Sequence, residues 1–236
     1  MGSYEKKHID TSAATDYAPN SAELKTNGTH AATAVKGDQT NGRIPEHEQK
    51  RWIWFITGPT ACGKTTIAKA LAAKLSFTFV EGDDYHPKAN VEKMSRGEPL
   101  TDSDRAGWLE ALRDHETAIP PEGESPHLVM TCSALKRHYR DVLREGAKNA
   151  GNLRIRLVFL DAPEEVLVQR AGLRQGHFAK ANLVDSQFEA LERPDGEKDV
   201  SVVRVDGRSI EDTERDVEKH VREVTMCDDG SYLRVL

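Results

Sequence analysis

The sequence predicts an α/β fold in which a mostly parallel sheet carries helices on both faces, and two observations support this prediction. Short runs rich in β-branched and aromatic residues alternate along the chain with longer segments in which apolar residues recur every three or four positions. Strands that alternate with helices in this way are typical of parallel sheets covered on both sides. A glycine-rich segment, GPTACGKT at 58–65, joins the first predicted strand to the first predicted helix.

The elements follow one another in a regular order. Helical spacing begins at Lys64, and a second helix is expected at about 103–118, where Thr101 and Asp104 have the spacing of a capping box. Pro163 is well placed to open another helix, and the last one is expected to begin at Ser209. A basic helix follows the third strand. The apolar runs predict strands at 52–57, 77–81, 127–132, 155–162 and 199–206.

Composition argues against several classes of protein. The formal net charge is −6, so the surface as a whole is not suited to binding nucleic acid. No apolar run reaches the ~18 residues that a membrane helix needs, and the first residues lack the apolar stretch of a signal peptide. The three cysteines have no metal-like spacing and indicate a reducing compartment. We therefore expect a cytoplasmic protein that neither enters a membrane nor binds nucleic acid.

The first fifty residues differ from the rest. Few aliphatic side chains beyond alanine are scattered among Thr, Asn, Gly, Asp and Lys, so the segment cannot bury enough apolar surface to offset the entropy of ordering it. We expect a disordered tail over 1–50, either without a function of its own or serving as a partner-binding or modification segment. The remaining residues, 51–236, are expected to form one domain.

The glycine-rich segment predicts a phosphate-binding loop (P-loop), because it satisfies G-x-x-x-x-G-K-[ST] between a strand and a helix. Backbone N–H groups of such a loop bind phosphate oxygens. Lys64 can neutralise charge on the β- and γ-phosphates, and Thr65 can offer its hydroxyl to Mg²⁺. Cys62 is either a reactive thiol near a helix N-terminus or a small residue that fits. The expected ATP-binding residues of the loop are Gly58, Ala61, Cys62, Gly63, Lys64, Thr65 and Thr66.

Acidic residues follow the second predicted strand, in VEGDDYHP. Because the carboxyl ends of parallel strands share one edge, Asp83, Asp84 and His86 are expected beside the P-loop. A carboxylate there can contact Mg²⁺ or accept the proton of an attacking hydroxyl. The alternative is a solvated turn, which these residue types also favour. Asp83 is the better candidate for both roles because it is nearer the strand end, and we prefer it to Asp161 as the metal ligand.

Basic residues also lie near this edge. Arg105 stands at the start of a helix where capping does not require it, and Lys136 begins a basic helix, which is unfavourable for the helix dipole unless an anion lies nearby. Arg170 and Arg174 are four residues apart, so one helical face can present both. With the mixed, glycine-containing segment after them they predict a mobile lid whose arginines stabilise the transferring phosphoryl group.

Four blocks of the chain resemble the small P-loop gluconokinases, which are relatives of shikimate kinase: GDDYHPKANVEKMSRGEPLTDSDRAGWL, CSALKRHYRDVLR, RQGHF and SQFEALERP. The resemblance covers about 52–224 and implies an adenylate-kinase-like fold with a lid. It also implies Mg²⁺-assisted transfer of phosphate from ATP to the terminal hydroxyl of D-gluconate, which gives 6-phosphogluconate for the pentose phosphate pathway. The resemblance further implies a homodimer.

Carried over by position, the resemblance places Asp83 at the acceptor hydroxyl and Arg174 among the lid and nucleotide residues. The expected catalytic residues are Lys64, Asp83 and Arg174. Arg170 becomes a nucleotide residue. Two positions depart from the family: Ala61 stands where glycine is common, and Asp84 where a nonacidic residue is usual, so Asp84 is left out of catalysis. The other residues expected to contact substrate, some with less definite roles, are His86, Arg105, Ser133, Lys136, His177 and Gln187.

Without the resemblance, the residues alone predict a small-molecule kinase and leave its substrate open. Another metabolite kinase of the same fold, such as a shikimate- or nucleotide-directed one, has the same parts. A catalytically silent nucleotide-binding regulator, with the tail engaging a partner, is the alternative from another class. A regulator would need only some of the groups present here, so their joint retention favours an enzyme. These groups are Lys64, Thr65, Asp83, Arg170 and Arg174.

Overall fold

The computed structural model describes residues 50–117, 125–148, 150–173 and 177–229, with the backbone alone at 116–117, 177–182 and 226–229. These residues belong to one compact unit. The expected disordered tail at 1–50 lies outside this part of the chain, apart from its last residue. Among the described helices, none is both long and apolar enough to cross a bilayer.

The sheet has five parallel strands in the order β2-β3-β1-β4-β5. Central β1 is buried along almost its whole length, which suits a strand covered on both faces. The α/β prediction is therefore confirmed, although β2 is shorter than the sequence suggested. The strands are β1 (Arg51–Thr57), β2 (Thr78–Val80), β3 (Leu128–Thr131), β4 (Leu153–Asp161) and β5 (Val200–Arg204).

Helices connect successive strands, as parallel neighbours require. One segment is more helical than predicted: the polar stretch after β2 forms a short 3-10 helix, Gly82–Tyr85, and then a separate helix before α3. The α-helices are α1 (Lys64–Leu75), α2 (Lys88–Ser95), α3 (Asp102–Thr117), α4 (Arg137–Lys148), α5 (Glu164–Gly172), α6 (His177–Glu189) and α7 (Ile210–Asp229).

The core lies in two layers, one on each face of the sheet. Alternation along β1 divides its side chains between them. Trp52, Trp54 and Ile56 pack in the layer that contains residues of α1, α5 and α7. Ile53 and Phe55 pack in the opposite layer with residues of α3 and α4. This arrangement fixes the carboxyl end of β1, where the P-loop begins, between two rigid layers.

The predicted capping box of α3 forms, and a serine hydroxyl caps the start of α7. The backbone N–H of Asp104 donates to Thr101 Oγ1 at 3.2 Å, and the N–H of Thr101 donates to the Asp104 carboxylate at 2.8 Å. At the start of α7, the N–H of Asp212 donates to Ser209 Oγ at 3.0 Å. Each contact satisfies an N–H group that has no partner within its helix. The starts of α3 and α7, which border the functional edge of the sheet, are therefore fixed locally.

Candidate active site

The P-loop follows β1 and bends sharply before α1. Gly58 and Gly63 have positive φ angles of 131° and 102°, which glycine adopts without steric cost. Ala61 also has a positive φ, 67°. This is the position where the resemblance led us to expect glycine, so the loop keeps its shape with an L-residue at some conformational cost. A Cβ at Gly58 would lie 2.8 Å from the carbonyl oxygen of Leu160, so no other residue fits there.

Lys64 lies inside the loop that precedes it. Its ammonium donates to the carbonyl oxygens of Gly58 at 3.0 Å and Pro59 at 2.9 Å. The loop is also attached to its neighbours, because the N–H of Gly58 donates to the carbonyl of Ser133 at 3.2 Å. A positive charge and the N-terminus of α1 therefore meet at one point, which is a suitable place for a phosphate chain.

Beside the loop lies a pocket of about 210 Å³. Arg170 forms part of its wall and is held there, because its guanidinium donates to the carbonyl of Val205 at 2.9 Å. The sequence predicted the loop and Arg170 for nucleotide binding but not the segment between β5 and α7. The pocket is lined by 61–63, Thr66, Arg170, Val205, 208–210 and Thr213.

Cys62 is buried, with 2% of its surface exposed. Burial raises the pKa of its thiol, and the nearby charge of Lys64 offsets this only in part. A thiol with a raised pKa is a poor nucleophile at neutral pH. The structure therefore favours the interpretation of Cys62 as a small residue that fits the loop.

On the acceptor side, the chain turns at Gly82 directly after β2. A Cβ at this position would lie 1.9 Å from the carbonyl oxygen of Thr131, so the two backbones can approach only because residue 82 is glycine. The turn brings Glu81 next to the P-loop, and Thr65 Oγ1 donates to the Glu81 carboxylate at 2.8 Å. Thr131 Oγ1 donates to the same carboxylate. Sequence reasoning overlooked Glu81, although its place at a strand end could have indicated it.

Asp83 follows in the 3-10 helix, with an exposed side chain at this edge of the sheet. Desolvation by the surrounding protein raises the pKa of its carboxyl group, the charge of Lys64 lowers it, and the charges of Glu81 and Asp84 raise it further. The net effect is a raised pKa. A carboxylate with a raised pKa is a stronger proton acceptor, as a general base requires.

His86 and Arg105 lie against the aromatic side chains of the same region. The His86 ring stacks on Trp108 with 4.1 Å between centroids and 16° between planes. Trp108 is fixed in turn, because its indole N–H donates to the carbonyl of Gly82 at 2.7 Å. Burial, together with the charge of Arg105, lowers the pKa of His86 to about 4, so the imidazole is neutral at physiological pH. Arg105 is 8% exposed and lies 5.7 Å from the centroid of the Tyr139 ring.

Lys136 is paired within the protein. Its ammonium donates to Asp102 at 2.7 Å, and Tyr139 donates to the same carboxylate at 2.5 Å. The hydrogen bond from Lys136, followed by that from Tyr139, lowers the pKa of Asp102. Asp102, at the first position of α3, therefore neutralises Lys136. Lys136, which the sequence predicted to bind an anionic substrate, is therefore already paired with a carboxylate of the protein.

The loop that carries Ser133 and Lys136 is held by a buried arginine. Arg140, 1% exposed, donates to the carbonyl oxygens of Ala134 at 2.9 Å and Leu135 at 3.0 Å, and to Glu197 at 2.5 Å. Ala134 has a positive φ of 43°, and these bonds help to hold that strained backbone. The shape of this loop therefore depends on residues outside it.

Three further predicted residues have different outcomes. Arg174 lies outside the described residues, and for His177 only the backbone is described, at the first position of α6. Gln187 is 8% exposed, and its side-chain oxygen accepts a hydrogen bond of 2.6 Å from the backbone N–H of Thr60. The described contact of Gln187 is thus with the P-loop, whereas the sequence predicted a contact with substrate.

The sequence of this chain is similar to those of known proteins. Residues 53–194 match the AAA_33 family, an AAA domain. A probable gluconokinase from Schizosaccharomyces pombe is 44% identical over 164 residues, which are 69% of this chain and 84% of that relative. The chain belongs to the gluconokinase family. A gluconokinase from Gluconobacter oxydans is also 44% identical, over 72% of this chain and 92% of the relative.

A solved structure agrees with this membership. A gluconokinase from Sinorhizobium meliloti 1021 superposes with a TM-score of 0.63 at 36% identity and covers 75% of this chain and 94% of its own. The resemblance of the sequence blocks to gluconokinases is thereby confirmed. In this member of the family, the P-loop and the acidic turn lie side by side at one edge of the sheet, where a phosphate donor and an acceptor can meet.

Proposed function

We propose that this gluconokinase-family protein transfers the γ-phosphoryl group of ATP to the terminal hydroxyl of D-gluconate and forms 6-phospho-D-gluconate and ADP. The observation that supports it is the hydrogen bond between Thr65 and Glu81, because it brings the P-loop and the acidic turn together at one edge of the sheet. Kinases of other metabolites have the same two parts, and the family membership favours gluconate among them.

The nucleotide side would use the P-loop and the pocket beside it. Backbone N–H groups at the start of α1 would bind phosphate oxygens, and Lys64 would exchange its two loop carbonyls for the β- and γ-phosphates. The pocket along Thr66 and Arg170 would take the base and ribose. Arg174, from the predicted lid, would add positive charge at the transferring group.

The residues near Thr65 fit a magnesium ion. Hydroxyl and carboxylate oxygens of Thr65, Glu81 and Asp83 are the hard ligands that Mg²⁺ prefers, and a phosphate-bound Mg²⁺ needs only one or two of them. Across the described ranges there is no group of three His, Cys, Asp or Glu side chains that could hold a metal ion. When bound, Mg²⁺ would neutralise charge on the phosphate oxygens. The contact of Thr65 with Glu81 favours Glu81 over Asp83 for this role.

On the acceptor side, Asp83 would act as general base. The gluconate hydroxyl oxygen forms a bond to the γ-phosphorus, the bond from that phosphorus to the β–γ bridging oxygen breaks, and the hydroxyl proton passes to Asp83. His86 and Arg105 would contact the polyol and carboxylate of gluconate, with Ser133, Lys136 and His177 nearby. Gln187 would act through the P-loop, to which it is bonded.

A coupled assay tests the reaction. Protein is supplied with Mg-ATP and D-gluconate, and 6-phosphogluconate dehydrogenase with NADP reports the product. Shikimate and nucleoside monophosphates are tested in parallel by ADP release. NADPH formation with gluconate, and no ADP release with the other acceptors, is the expected result. ATP binding without transfer to any acceptor would instead support the nucleotide-binding regulator.

The variant Asp83→Asn tests the general base. We expect kcat to fall by about 10²–10⁴-fold, the usual contribution of general base catalysis, while ATP affinity measured by calorimetry stays unchanged. The matched control is Asp84→Asn, which removes the neighbouring carboxylate and should keep kcat within about threefold at the pH optimum. Near-normal turnover of Asp83→Asn would contradict the assignment.

Two other properties remain predictions. The homodimer follows from the family resemblance, and light scattering of the purified chain would test it. A cytoplasmic location follows from the composition, and cell fractionation would test it.

A further inference from the structure

Asn90 is a buried polar residue that the proposed reaction does not use. It lies on α2 with 4% of its surface exposed. Its side-chain Nδ2 is 2.7 Å from the backbone carbonyl oxygen of Asp104 in α3. A carbonyl oxygen can only accept a hydrogen bond, so this contact identifies the NH₂ end of the amide.

The same NH₂ group faces His86. Asn90 Nδ2 lies 3.4 Å from His86 Nδ1. Two N–H donors cannot form a hydrogen bond with each other, so His86 Nδ1 must carry the lone pair and accept. In a neutral imidazole the proton then lies on Nε2, because one ring nitrogen donates and the other accepts.

The position of the His86 ring is fixed as well as its tautomer. It stacks on Trp108, whose indole is itself anchored to the backbone of Gly82. Within the part of the chain that the structure describes, His86 Nε2 has no hydrogen-bond partner. Its N–H is therefore a donor of fixed position that is left for a ligand.

We propose that Asn90 is a positioning residue that holds His86 as the Nε2–H tautomer, so that the imidazole donates a hydrogen bond to an oxygen of the polyol acceptor. The identity of that acceptor rests on the proposed function. The hydroxyl groups of a polyol can donate or accept, and the site would meet the molecule with one acceptor and one donor at different oxygens. Asp83 accepts from the reacting hydroxyl, while His86 donates to another oxygen of the same molecule. This division of roles gives the polyol one direction of binding.

Nitrogen NMR of the full-length protein, labelled with ¹⁵N in its histidine rings, tests the tautomer without any catalysis. The signals of His86 are those that disappear in His86→Gln. We expect a pyridine-like shift at Nδ1 and a pyrrole-like shift at Nε2. Asn90→Asp replaces the donor with a carboxylate, so it should reverse the pattern by drawing a proton to Nδ1. A wild-type His86 with its proton on Nδ1 would overturn the proposal.

Kinetics then test the consequence for substrate. Asn90→Asp should raise KM for gluconate about tenfold, the loss expected for one hydrogen bond, and leave KM for ATP unchanged. The lost bond is present in both the ground state and the transition state, so kcat should change less than about threefold. An unchanged KM for gluconate in a variant whose tautomer is reversed would overturn the proposed donation to substrate.

A matched control separates positioning from simple stability. Lys93 also joins α2 to α3, because its ammonium lies 2.8 Å from the Asp104 carboxylate, but it has no contact with His86. Lys93→Met should lower Tm by a similar amount without changing the His86 shifts or KM for gluconate. If Asn90→Asp does not fold, Asn90→Ala replaces it, and a mixture of the two His86 tautomers is expected. An Ala variant that keeps the pure Nε2–H tautomer would overturn the role of Asn90.

The assay for gluconate phosphorylation and the NMR measurement test the reaction and the role of Asn90 independently. Absence of gluconate phosphorylation by the wild-type protein would contradict the proposed function, yet the NMR pattern would still show whether Asn90 sets the tautomer. Conversely, an active enzyme with the opposite tautomer would contradict only the role of Asn90.

Discussion

At the scale of single residues, desolvation and three neighbouring charges control the ability of Asp83 to accept a proton. Desolvation by the surrounding protein is the first cause of its raised pKa, the charge of Lys64 opposes this effect, and the charges of Glu81 and Asp84 add to it. A base must be deprotonated to act, so activity should fall on the acid side as Asp83 becomes protonated. The raised pKa shifts this fall toward higher pH than an ordinary aspartate would give.

The variant Asp84→Asn tests this dependence. Removal of a like charge lowers the pKa of Asp83, so the acid limb of kcat against pH should move to lower pH. Steady-state rates over a pH series measure the shift. Glu110→Gln, at an exposed position on α3, changes the net charge equally and should leave the limb in place. A shift of the acid limb of kcat to higher pH in Asp84→Asn would contradict the assignment of Asp83 as the general base.

Gln187 is the residue at which sequence and structure disagree about a role. If it acts by fixing Thr60 in the P-loop, Gln187→Ala should raise KM for ATP about three- to tenfold and leave KM for gluconate unchanged. If Gln187 instead contacts substrate, as the sequence predicted, Gln187→Ala should raise KM for gluconate and leave KM for ATP unchanged. Ser186→Ala is the control, because that hydroxyl donates within α6, to the carbonyl of Leu183 at 3.0 Å.

At the scale of elements, the start of α3 positions both Arg105 and Trp108. Its capping box is formed by Thr101 and Asp104. Thr101→Ala should therefore destabilise the protein by about 1 kcal/mol, the usual cost of losing such a cap, as measured by urea unfolding. Thr101→Ser keeps the hydroxyl and should unfold close to the wild-type midpoint. An alanine variant as stable as wild type would show that tertiary packing alone fixes this helix end.

The elements also show where sequence patterns stop being informative. Strand β2 was predicted over 77–81 because its apolar residues continue a regular run, yet it spans only Thr78–Val80. The chain leaves the sheet where Gly82 passes close to Thr131, a contact between residues far apart in sequence. Local periodicity contains no information about such a contact. The capping box of α3 and the P-loop, by contrast, were predicted because their geometry depends on residues close together in sequence.

At the scale of the whole molecule, an ion cluster links α4 to the segment before β5. Arg140 and Arg144 both bond Glu197, and Arg144 also bonds Asp199 at 2.7 Å. Burial alone would raise the pKa of Glu197, but the hydrogen bonds from the two arginines outweigh it and lower the pKa to about 2. A depressed pKa contributes stability above the ordinary value near 4.5, and this contribution is lost as pH falls toward about 2.

The variant Glu197→Gln should therefore be less stable than wild type at neutral pH and should lose less of its remaining stability between about pH 4.5 and about pH 2. Urea midpoints across this range measure the effect. Glu92→Gln, at an exposed position on α2 paired with Lys88 at 3.8 Å, is the control and should follow the wild-type curve. If the urea midpoints of Glu197→Gln and wild type fall in parallel as pH is lowered, other carboxylates determine the loss of stability in acid.

The sequence predicted the architecture better than the contacts within the site. The sheet, the P-loop and the placement of Asp83 after β2 follow from strand order and motif spacing. Glu81, Asn90 and the wall of the pocket between β5 and α7 were missed, because each acts through a partner distant along the chain. Glu81 meets Thr65 sixteen positions away, and Asn90 meets Asp104 fourteen positions away.

The hydrogen bond between Thr65 and Glu81 also has a thermodynamic consequence. It joins the loop that would hold the nucleotide to the turn that would hold the acceptor. A nucleotide that changes the orientation of the Thr65 hydroxyl alters the charge environment of Glu81 and, through it, of Asp83. Energetic coupling between two binding sites is reciprocal. We therefore expect each substrate to change the affinity for the other by the same factor, so that the protein binds its two substrates interdependently.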